Sequence, residues 1–372
     1  MKILTLTNCS LDAKLGSGKT VLRYSEGLRK LGYIVDVFEP KDYRFFSGFS
    51  RAIKFRDAFS AYLLVKQQIK LQEYDIIEFY GDEFWLALYN LSQQLNHPFI
   101  VARINGLELL DWERSSAYNR NSNIFYRWFA KQTHVRFSKI AFKNADAFVS
   151  LCELDRQYVL ERKLYSPQWT FTVAPGLDEE YLTMPFNYER KEQIAYLGSW
   201  ISRKGNYVIC KVINQVLSIN SGVELHLYGT NTSSEAILES FPKHFHNRIF
   251  IYPSLSNQEI AKKLSQAKVF FFPSQYEGYG MALAEAMACG CAVVTTPTGF
   301  GAELKSQQEG LIYNFNDFEG MKDGILHLLE NDEVRLEIAM NAKNKTKNLT
   351  WENSINQLSN LYQKWVVEYQ SY

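Results

Sequence analysis

The pattern of apolar and polar positions along the chain alternates between strand-like runs and helix-like segments. The run "KILTLTN" is rich in β-forming residues, "GKTVLRYSEGLRKLG" has apolar residues at helical spacing and ends at Gly32, and "YIVDVFEP" returns to a strand pattern. This order predicts a β-α-β unit and hence a parallel sheet. Because "YDIIEFYG", "HPFIVARING" and "ADAFVSLCE" continue the series, we expect the first half to be a doubly wound α/β domain.

A second series of short apolar runs follows, made of "EQIAYLGS", "VELHLYGT", "NRIFIYPS", "AKVFFFPS" and "CAVVTTP". Between the two series, "TVAPGLDEEYLTMPFNYERKE" has turn-forming residues and no strong period, which is typical of a linker. The last segment has apolar residues at helical intervals and predicts a terminal helix with one apolar face. We therefore expect domains at 1–183 and 184–350, followed by a helix at 351–372.

Composition and charge exclude several function classes. The 41 basic and 40 acidic residues give a net charge of +1, which argues against a dedicated nucleic-acid binder. Five cysteines, an odd number in a long chain, do not indicate a secreted disulfide framework and fit a reducing cytoplasm. No apolar stretch approaches the about 18 residues of a spanning helix, and the N-terminus lacks a signal-peptide pattern. We expect a cytoplasmic protein without a membrane span.

Two segments of the first half, residues 41–70 and 112–143, are locally basic. The second of them interleaves its cations with aromatic residues. One interpretation is a set of amphipathic surface helices whose aromatic side chains face the core. The other is a basic, aromatic surface that contacts an anionic membrane, at its cytoplasmic face, or a diphosphate-linked acceptor. The sequence leaves both open.

The segment "FFFPSQYEGYGMALAEAMACGCAVVTT", residues 270–296, reads as a buried strand, a glycine-containing loop, a helix that begins near Met281, and a second strand. Glu277 and Glu285 are separated by seven residues, so helical rise places them roughly 10 to 15 Å apart. Glutamates at this spacing usually mark a solvated helix face. In this setting one carboxylate could instead hold a ribose and the other a hexose. Free backbone amides at the helix N-terminus would face a diphosphate. The predicted donor-binding residues here are Gly278, Tyr279, Gly280, Met281, Ala282, Leu283 and Glu285.

With these motifs the chain resembles the retaining glycosyltransferases of family four, which have the GT-B fold of two facing Rossmann-like domains. Their Glu-x7-Glu element is matched by Glu277 and Glu285. Their Gly-Arg-x4-Lys-Gly stretch is matched imperfectly by "GSWISRKG", and their interdomain Pro-Asn-Gly-Val-Asp by "APGLD". The resemblance implies a deep cleft between the domains and a C-terminal helix that crosses back to the first domain.

The resemblance also assigns roles near the departing diphosphate. It implies that Lys204 binds phosphate, that Glu277 positions the donor sugar, and that no enzyme nucleophile is needed because a phosphate oxygen takes the acceptor proton. The family's arginine falls at Ser199, so Arg203 is the candidate replacement. A histidine found in many relatives is replaced by Asn105, which can donate a hydrogen bond but cannot carry a proton.

Further candidates lie outside these motifs. Tyr252, at the end of "NRIFIYPS", is expected on the donor side, whereas Arg103 and Glu108 flank the Asn105 loop and are expected on the acceptor side. No Asp-x-Asp pair is present, which fits a metal-independent enzyme in which cationic side chains replace Mg²⁺. The "CGC" at 289–291 is interpreted as core cysteines rather than a metal site. No cofactor is expected.

The stretch "AKLGSGKT", residues 13–20, has two interpretations. As a relaxed phosphate loop in which Ala13 replaces the first glycine, it would place Lys19 on terminal phosphates and Thr20 on Mg²⁺, with Glu78 or Asp82 as the acidic partner. As the glycine-rich loop of a glycosyltransferase, it would use Gly16 and Gly18 for close approach to a sugar and diphosphate. The second interpretation also accounts for residues 190–372.

The sequence thus predicts a retaining, metal-independent hexosyltransferase. The expected donor is a nucleoside diphosphate sugar, with UDP-glucose as first choice and GDP-mannose and UDP-N-acetylglucosamine open. The expected acceptor is a carbohydrate, in polysaccharide or lipid-linked oligosaccharide synthesis. The alternatives are a P-loop ATPase or small-molecule kinase that uses Lys19, and a catalytically silent sugar-nucleotide-binding protein, suggested by Ser199 and Asn105.

Overall fold

The computed structural model describes residues 1–12, 16–45, 53–118 and 135–370. Ala13, and residues 119–134 of the second basic segment, lie outside these ranges. The chain divides into two compact units, Met1–Gly176 with Trp351–Tyr372, and Leu177–Thr350. The boundary between Gly176 and Leu177 lies earlier in the chain than the boundary predicted after residue 183. Leu177 belongs to the second unit because its N–H donates to Leu349 O at 2.8 Å.

The first unit contains a six-stranded parallel sheet in the order β2-β1-β3-β4-β5-β6. Its strands are β1 (Lys2–Thr7), β2 (Ile34–Phe38), β3 (Ile76–Tyr80), β4 (Phe99–Arg103), β5 (Ala147–Ser150) and β6 (Thr170–Thr172). Its helices before the linker are α1 (Gly16–Lys30), α2 (Pro40–Tyr43), α3 (Ile53–Leu71), α4 (Trp85–Ser92), α5 (Glu108–Tyr118), α6 (Arg136–Lys143) and α7 (Glu153–Glu161). Strands β3 and β4 are buried along their whole length, as expected for a parallel sheet covered by helices on both faces.

The second unit contains another six-stranded parallel sheet, in the order β12-β11-β10-β7-β8-β9. Its strands are β7 (Lys191–Leu197), β8 (Glu224–Tyr228), β9 (Ile249–Tyr252), β10 (Ala267–Phe272), β11 (Ala292–Thr295) and β12 (Leu311–Ile312). Its helices are α8 (Glu179–Leu182), α9 (Asn206–Ile219), α10 (Ser234–Leu238), α11 (Asn257–Leu264), α12 (Met281–Ala288), α13 (Phe318–Glu330) and α14 (Asp332–Thr346). The predicted α/β class is confirmed in both units.

The last helix, α15 (Trp351–Gln370), returns to the first unit. Leu358, Tyr362 and Trp365 are fully buried in a core cluster with side chains of the first sheet. The Trp365 ring stacks on Phe99 with centroids 5.4 Å apart. The amphipathic face read from the sequence is therefore covered by packing inside this unit. No helix in the described part of the chain is long and apolar enough to cross a membrane.

Candidate functional site

The second sheet reverses its direction of growth between β7 and β10. The chain adds β8 and β9 on one side of β7 and then places β10 on its other side. In open parallel sheets, ligands bind at the carboxyl ends of the strands where such a reversal occurs. The loops that follow these two strands, residues 198–205 and 273–280, therefore form the candidate site. Both carry residues that the sequence singled out.

The two loops are bonded to each other. Gly205 has φ +76°, and a Cβ there would lie 2.0 Å from Pro273 O, so only glycine permits this close approach. Gln275 N–H donates to Arg203 O at 2.8 Å. The Arg203 guanidinium donates in return to Tyr276 O at 3.1 Å. Arg203, the candidate replacement for the family arginine, is thus anchored to the neighbouring loop by its side chain.

Lys204 and Glu277 form an ion pair across these loops. Lys204 Nζ lies 2.7 Å from Glu277 Oε1 and 2.8 Å from Oε2. The side chains are 18% and 7% exposed. The backbone of Glu277 is held in position because its N–H donates a hydrogen bond to Thr298 Oγ1 at 2.7 Å. The structure therefore brings together the two side chains assigned to the diphosphate and the donor sugar, at the edge of the sheet where a ligand is expected.

Ser199, at the position of the family arginine, belongs to a neutral hydrogen-bonded group. Its Oγ accepts a hydrogen bond from Asn231 Nδ2 at 3.2 Å, and its carbonyl accepts one from Tyr196 Oη at 3.0 Å. Asn231 has φ +52°, a left-handed conformation that costs a non-glycine residue free energy and that asparagine tolerates better than most. Asn231 was not among the residues predicted from the sequence, although "GTN" directly after a strand is a turn signal.

Helix α12 begins at Met281, as predicted, after Gly280 with φ +92°. Gly280 carries no side chain that could cap the helix, so its first amides face outward. Leu283 is an exception, because its N–H donates to Gly280 O at 2.9 Å. The free amide predicted for Leu283 is therefore wrong. Gly280, Met281 and Ala282 remain candidates for holding an anion.

Two other predicted donor residues of this segment are packed into the protein. Tyr279 is 3% exposed, and its ring stacks on Phe300 with centroids 5.2 Å apart, so a ligand would meet its backbone and that of Gly278. Glu285 is 7% exposed in the middle of α12. The pKa of Tyr181 is raised above its usual range, first by the burial of its own hydroxyl and next by the charge of Glu285. The ribose contact predicted for Glu285 stays a prediction.

Tyr252 ends β9, which lies two strands from β7 and three strands from β10 in the sheet order. Its ring lies 5.4 Å from that of Tyr228, and Lys263 Nζ lies 4.0 Å from its centroid. Despite this cation–π contact, the side chain of Tyr252 is partly exposed at the carboxyl edge of the sheet. Its predicted role on the donor side stays a prediction.

The cysteines of "CGC" lie in the core of the second unit. Cys289 and Cys291 are both fully buried. Cys291 Sγ donates to Leu264 O at 3.1 Å, and burial raises the pKa of this thiol to about 11. Their environment is that of structural cysteines, since a metal-binding cysteine needs an accessible thiolate.

The start of α1 does not have the features of a phosphate loop. A Cβ on Gly18 would lie 2.3 Å from Ser10 O, so the lack of a side chain at Gly18 allows close contact with the backbone of residue 10. A Cβ on Gly16 would have no atom within 4 Å. Lys19 is 8% exposed. Thr20 is buried, and its hydroxyl donates to Gly16 O at 2.8 Å inside the helix. A kinase or ATPase that uses Lys19 and Thr20 is therefore not favoured.

Arg103 lies in the core of the first unit, which contradicts its expected acceptor role. Its Nη1 lies 3.2 Å from Glu78 Oε2, and both side chains are 1% exposed. The guanidinium lies between two rings, 4.3 Å from the centroid of Tyr24 and 4.7 Å from that of Tyr80. The prediction failed because alternation along β4 turns this side chain toward the helix layer. Glu78, likewise buried, is no acidic partner for a phosphate loop.

Asn105 and Glu108 do lie at the carboxyl edge of the first sheet. Asn105 Nδ2 donates to Cys9 Sγ at 3.7 Å. Carboxylate oxygens of Asp82, Glu83 and Glu108 lie within 4.8 Å of one another. Burial and the charge of Glu108 raise the pKa of Glu83 to about 8. The loops after β3 and β4 thus form a small acidic pocket, and the sequence analysis identified only part of it.

Comparisons with known proteins point to glycosyltransferases. The family model described as "Glycosyl transferases group 1" matches residues 179–345, most of the second unit. An uncharacterized glycosyltransferase of Methanocaldococcus jannaschii is 22% identical over 324 residues, 80% of this chain and 82% of that one.

Solved structures match over nearly the whole length. Sucrose-phosphate synthase from Thermosynechococcus elongatus has a TM-score of 0.79 at 16% identity, over 99% of this chain and 100% of that one. Anabaena HepE in complex with UDP-glucose has a TM-score of 0.70 at 16% identity, over 98% and 100%. The chain accordingly has the GT-B fold of two Rossmann-like domains, and the family match and the relatives support a glycosyltransferase.

Proposed function

We propose that the protein is a retaining, metal-independent hexosyltransferase of the family-four type. It transfers a hexose, with glucose from UDP-glucose as first choice, to a carbohydrate acceptor. The observation that carries the proposal is the Lys204–Glu277 ion pair at the reversal point of the second sheet. The likeness to Anabaena HepE, whose structure holds UDP-glucose, supports the choice of donor.

Lys204 stabilises the departing diphosphate. Negative charge develops on the phosphate oxygens as the bond to the sugar breaks, and a fixed ammonium group lowers that barrier. Both carboxylate oxygens of Glu277 lie within 2.8 Å of Lys204 Nζ and hold it in place. On donor binding, Lys204 turns its charge to the diphosphate, and Glu277 accepts hydrogen bonds from hexose hydroxyls.

The other groups that we propose to donate hydrogen bonds to the diphosphate are neutral. The amides of Gly280, Met281 and Ala282 at the start of α12 bind phosphate oxygens. Ser199 and Asn231 supply a hydroxyl and an amide where the family has an arginine, and Arg203 supports the loop through Tyr276 O. A phosphate oxygen takes the acceptor proton, so no side chain needs to act as nucleophile or base.

The acceptor end belongs to the first unit. Asn105 and Glu108 lie at the carboxyl edge of its sheet, where their amide and carboxylate suit sugar hydroxyls. The product is proposed to enter a polysaccharide or a lipid-linked oligosaccharide, and the basic, aromatic segments of this unit support an acceptor at the inner face of a membrane.

The proposal is tested by ligand binding and product analysis. Purified protein in EDTA is screened by thermal shift against UDP, GDP, ADP and ATP, since a ligand at 100 times its Kd adds about 2.7 kcal/mol of stability. Stabilisation by UDP, followed by release of UDP from UDP-glucose with an α-linked product, supports it. A parallel screen replaces EDTA with excess Mg²⁺, and stabilisation there by ATP alone would overturn the proposal. UDP binding without any turnover would favour a silent sugar-nucleotide-binding protein.

A further inference from the structure

An open groove of about 540 Å³ lies on the first unit between α4 and α6. Its lining combines aromatic and aliphatic side chains with cations: Trp85, Tyr89, Val135, Arg136, Lys139, Ile140, Lys143 and Asn144. Pockets of roughly 300 to 1,000 Å³ with apolar walls and a few polar groups are the usual form of small-molecule sites. None of the residues that line this groove is assigned a role in transfer.

The wall of the groove is aromatic and partly open to solvent. The Trp85 and Phe137 rings stack with centroids 4.6 Å apart, and Phe55 packs edge-on against Phe137 at 5.0 Å. Phe55 is nevertheless 50% exposed, and the neighbouring Phe59 and Tyr89 are 53% and 49% exposed. Large aromatic side chains exposed together on one surface mark an interaction site rather than ordinary surface.

The rim of the groove is cationic. Arg136, Lys139 and Lys143 are exposed and recur at helical spacing along α6. None of the three forms an ion pair with a carboxylate in the described ranges of the chain. Helices α4 and α6 contain no acidic residue, and the one acid of α3, Asp57, is buried and paired with Arg44. These three helices therefore supply no carboxylate that pairs with the cations of the rim.

We propose that this groove binds an acyl chain of an anionic membrane lipid, with Arg136, Lys139 and Lys143 on the lipid phosphate. A groove with an apolar wall and a cationic rim matches an amphiphile with a hydrocarbon tail and a phosphate headgroup. This inference rests on the proposed function, because binding of the lipid would bring the first unit close to an acceptor carried by the membrane.

The test measures partition of the full chain onto vesicles, without any donor sugar. Vesicles of phosphatidylglycerol and phosphatidylcholine in equal amounts are compared with vesicles of phosphatidylcholine alone. We expect Lys139→Glu/Lys143→Glu to lower partition onto the anionic vesicles by about tenfold or more, since each cation near such a surface contributes attraction. Tyr89→Ser should lower it about fivefold by removing apolar contact.

The matched control is Lys243→Glu/Lys305→Glu, which makes the same change in net charge at two exposed lysines of the second unit. It should keep most of the wild-type partition. Equal loss in the control, or wild-type partition that does not depend on the anionic lipid, would overturn the proposal. Lys139→Ala/Lys143→Ala repeats the test with a milder change.

Thermal stabilisation by UDP separates this inference from the proposed function. The groove variants should keep the wild-type response to UDP, because none of them touches the loops around Lys204. Loss of vesicle binding with intact UDP binding supports the groove alone, whereas absence of any UDP response with vesicle binding retained would count against the transferase and not against the groove.

Discussion

Arg103–Glu78 in the first unit and Lys204–Glu277 in the second are cation–carboxylate pairs built on neighbouring parallel strands, and the two pairs differ in burial. Arg103 and Glu78 come from within β4 and β3, and both side chains are 1% exposed. Lys204 and Glu277 come from the loops after β7 and β10, and they are 18% and 7% exposed. The same charges therefore occupy the core in one unit and the ligand edge in the other.

The difference shows that position along the strand decides what such a pair does. A side chain within a strand points into the helix layer, where Glu78 also accepts hydrogen bonds from Thr5 Oγ1 at 2.6 Å and from Tyr362 Oη of α15. That pair joins the C-terminal helix to the sheet. A side chain beyond the strand end points to the edge, where a ligand can compete for it. The first pair is structural, and the second is available for chemistry.

Removing the buried cation should have the largest effect. Arg103→Met leaves Glu78 without its counter-ion in the core, so we expect the free energy of unfolding of the first unit to fall by about 3 to 5 kcal/mol. Urea unfolding measures it. The control is Arg103→Met/Glu78→Gln, which should recover more than half of the loss. An unchanged unfolding midpoint in the single variant would contradict the structural role.

Removing the edge cation should affect activity and not stability. Lys204→Ala is expected to lower kcat/KM about 10²- to 10³-fold, the usual cost of deleting a group that stabilises charge in the transition state. Its unfolding free energy should change by only about 1 kcal/mol, because the ammonium group is partly solvated. Turnover of the donor sugar and urea unfolding are measured on the same preparation. Wild-type turnover in this variant would sink the assignment of Lys204.

A smaller loss is expected at the contact between the helix and the buried pair. Tyr362→Phe removes one hydrogen bond to a carboxylate and should cost about 2 kcal/mol of stability. The response to UDP should stay at the wild-type level, because α15 packs within the first unit. A matched variant is Tyr313→Phe, because Tyr313 belongs to the second unit and no hydrogen bond among the described residues joins it to Glu78. Equal losses in both variants would show that the contact with Glu78 is not special.

The smallest effect, measured over a single pH unit, concerns Glu83, a carboxyl group that lies beside the carboxylate of Glu108. The pKa of Glu83 is raised to about 8 by burial and by the charge of Glu108. The native state thus keeps a proton that the unfolded chain loses, so this group stabilises the fold at low pH and the contribution is lost as pH rises from about 4.5 to 8.

We expect the unfolding free energy to fall by about 1 kcal/mol per pH unit within this window from Glu83 alone. Glu83→Gln should flatten that slope in urea unfolding at pH 6 and pH 7. A wild-type slope in this variant would show that Glu83 is ionised over the whole window.

The strand and helix pattern was readable because each longer element carries its own period. The start of α12 at Met281 and the apolar face of α15 follow from local spacing alone. The sequence pattern did not predict two short strands: β6, with the sequence "TFT", shares only Thr172 with the predicted linker, and β12 has only two residues. Elements this short have no readable period, and only pairing with a neighbour defines them.

The α/β class, the two series of strands and the local motif with Glu277 and Glu285 can be read from the amino-acid order alone, because they are properties of neighbouring residues. Tertiary structure decided that Arg103 is a core residue, that Asn231 reaches Ser199, and that Tyr362 bonds Glu78 across 284 positions of the chain. Burial and long-range hydrogen bonds depend on which helix and sheet faces pack together after folding, and the local spacing of residues does not specify those contacts.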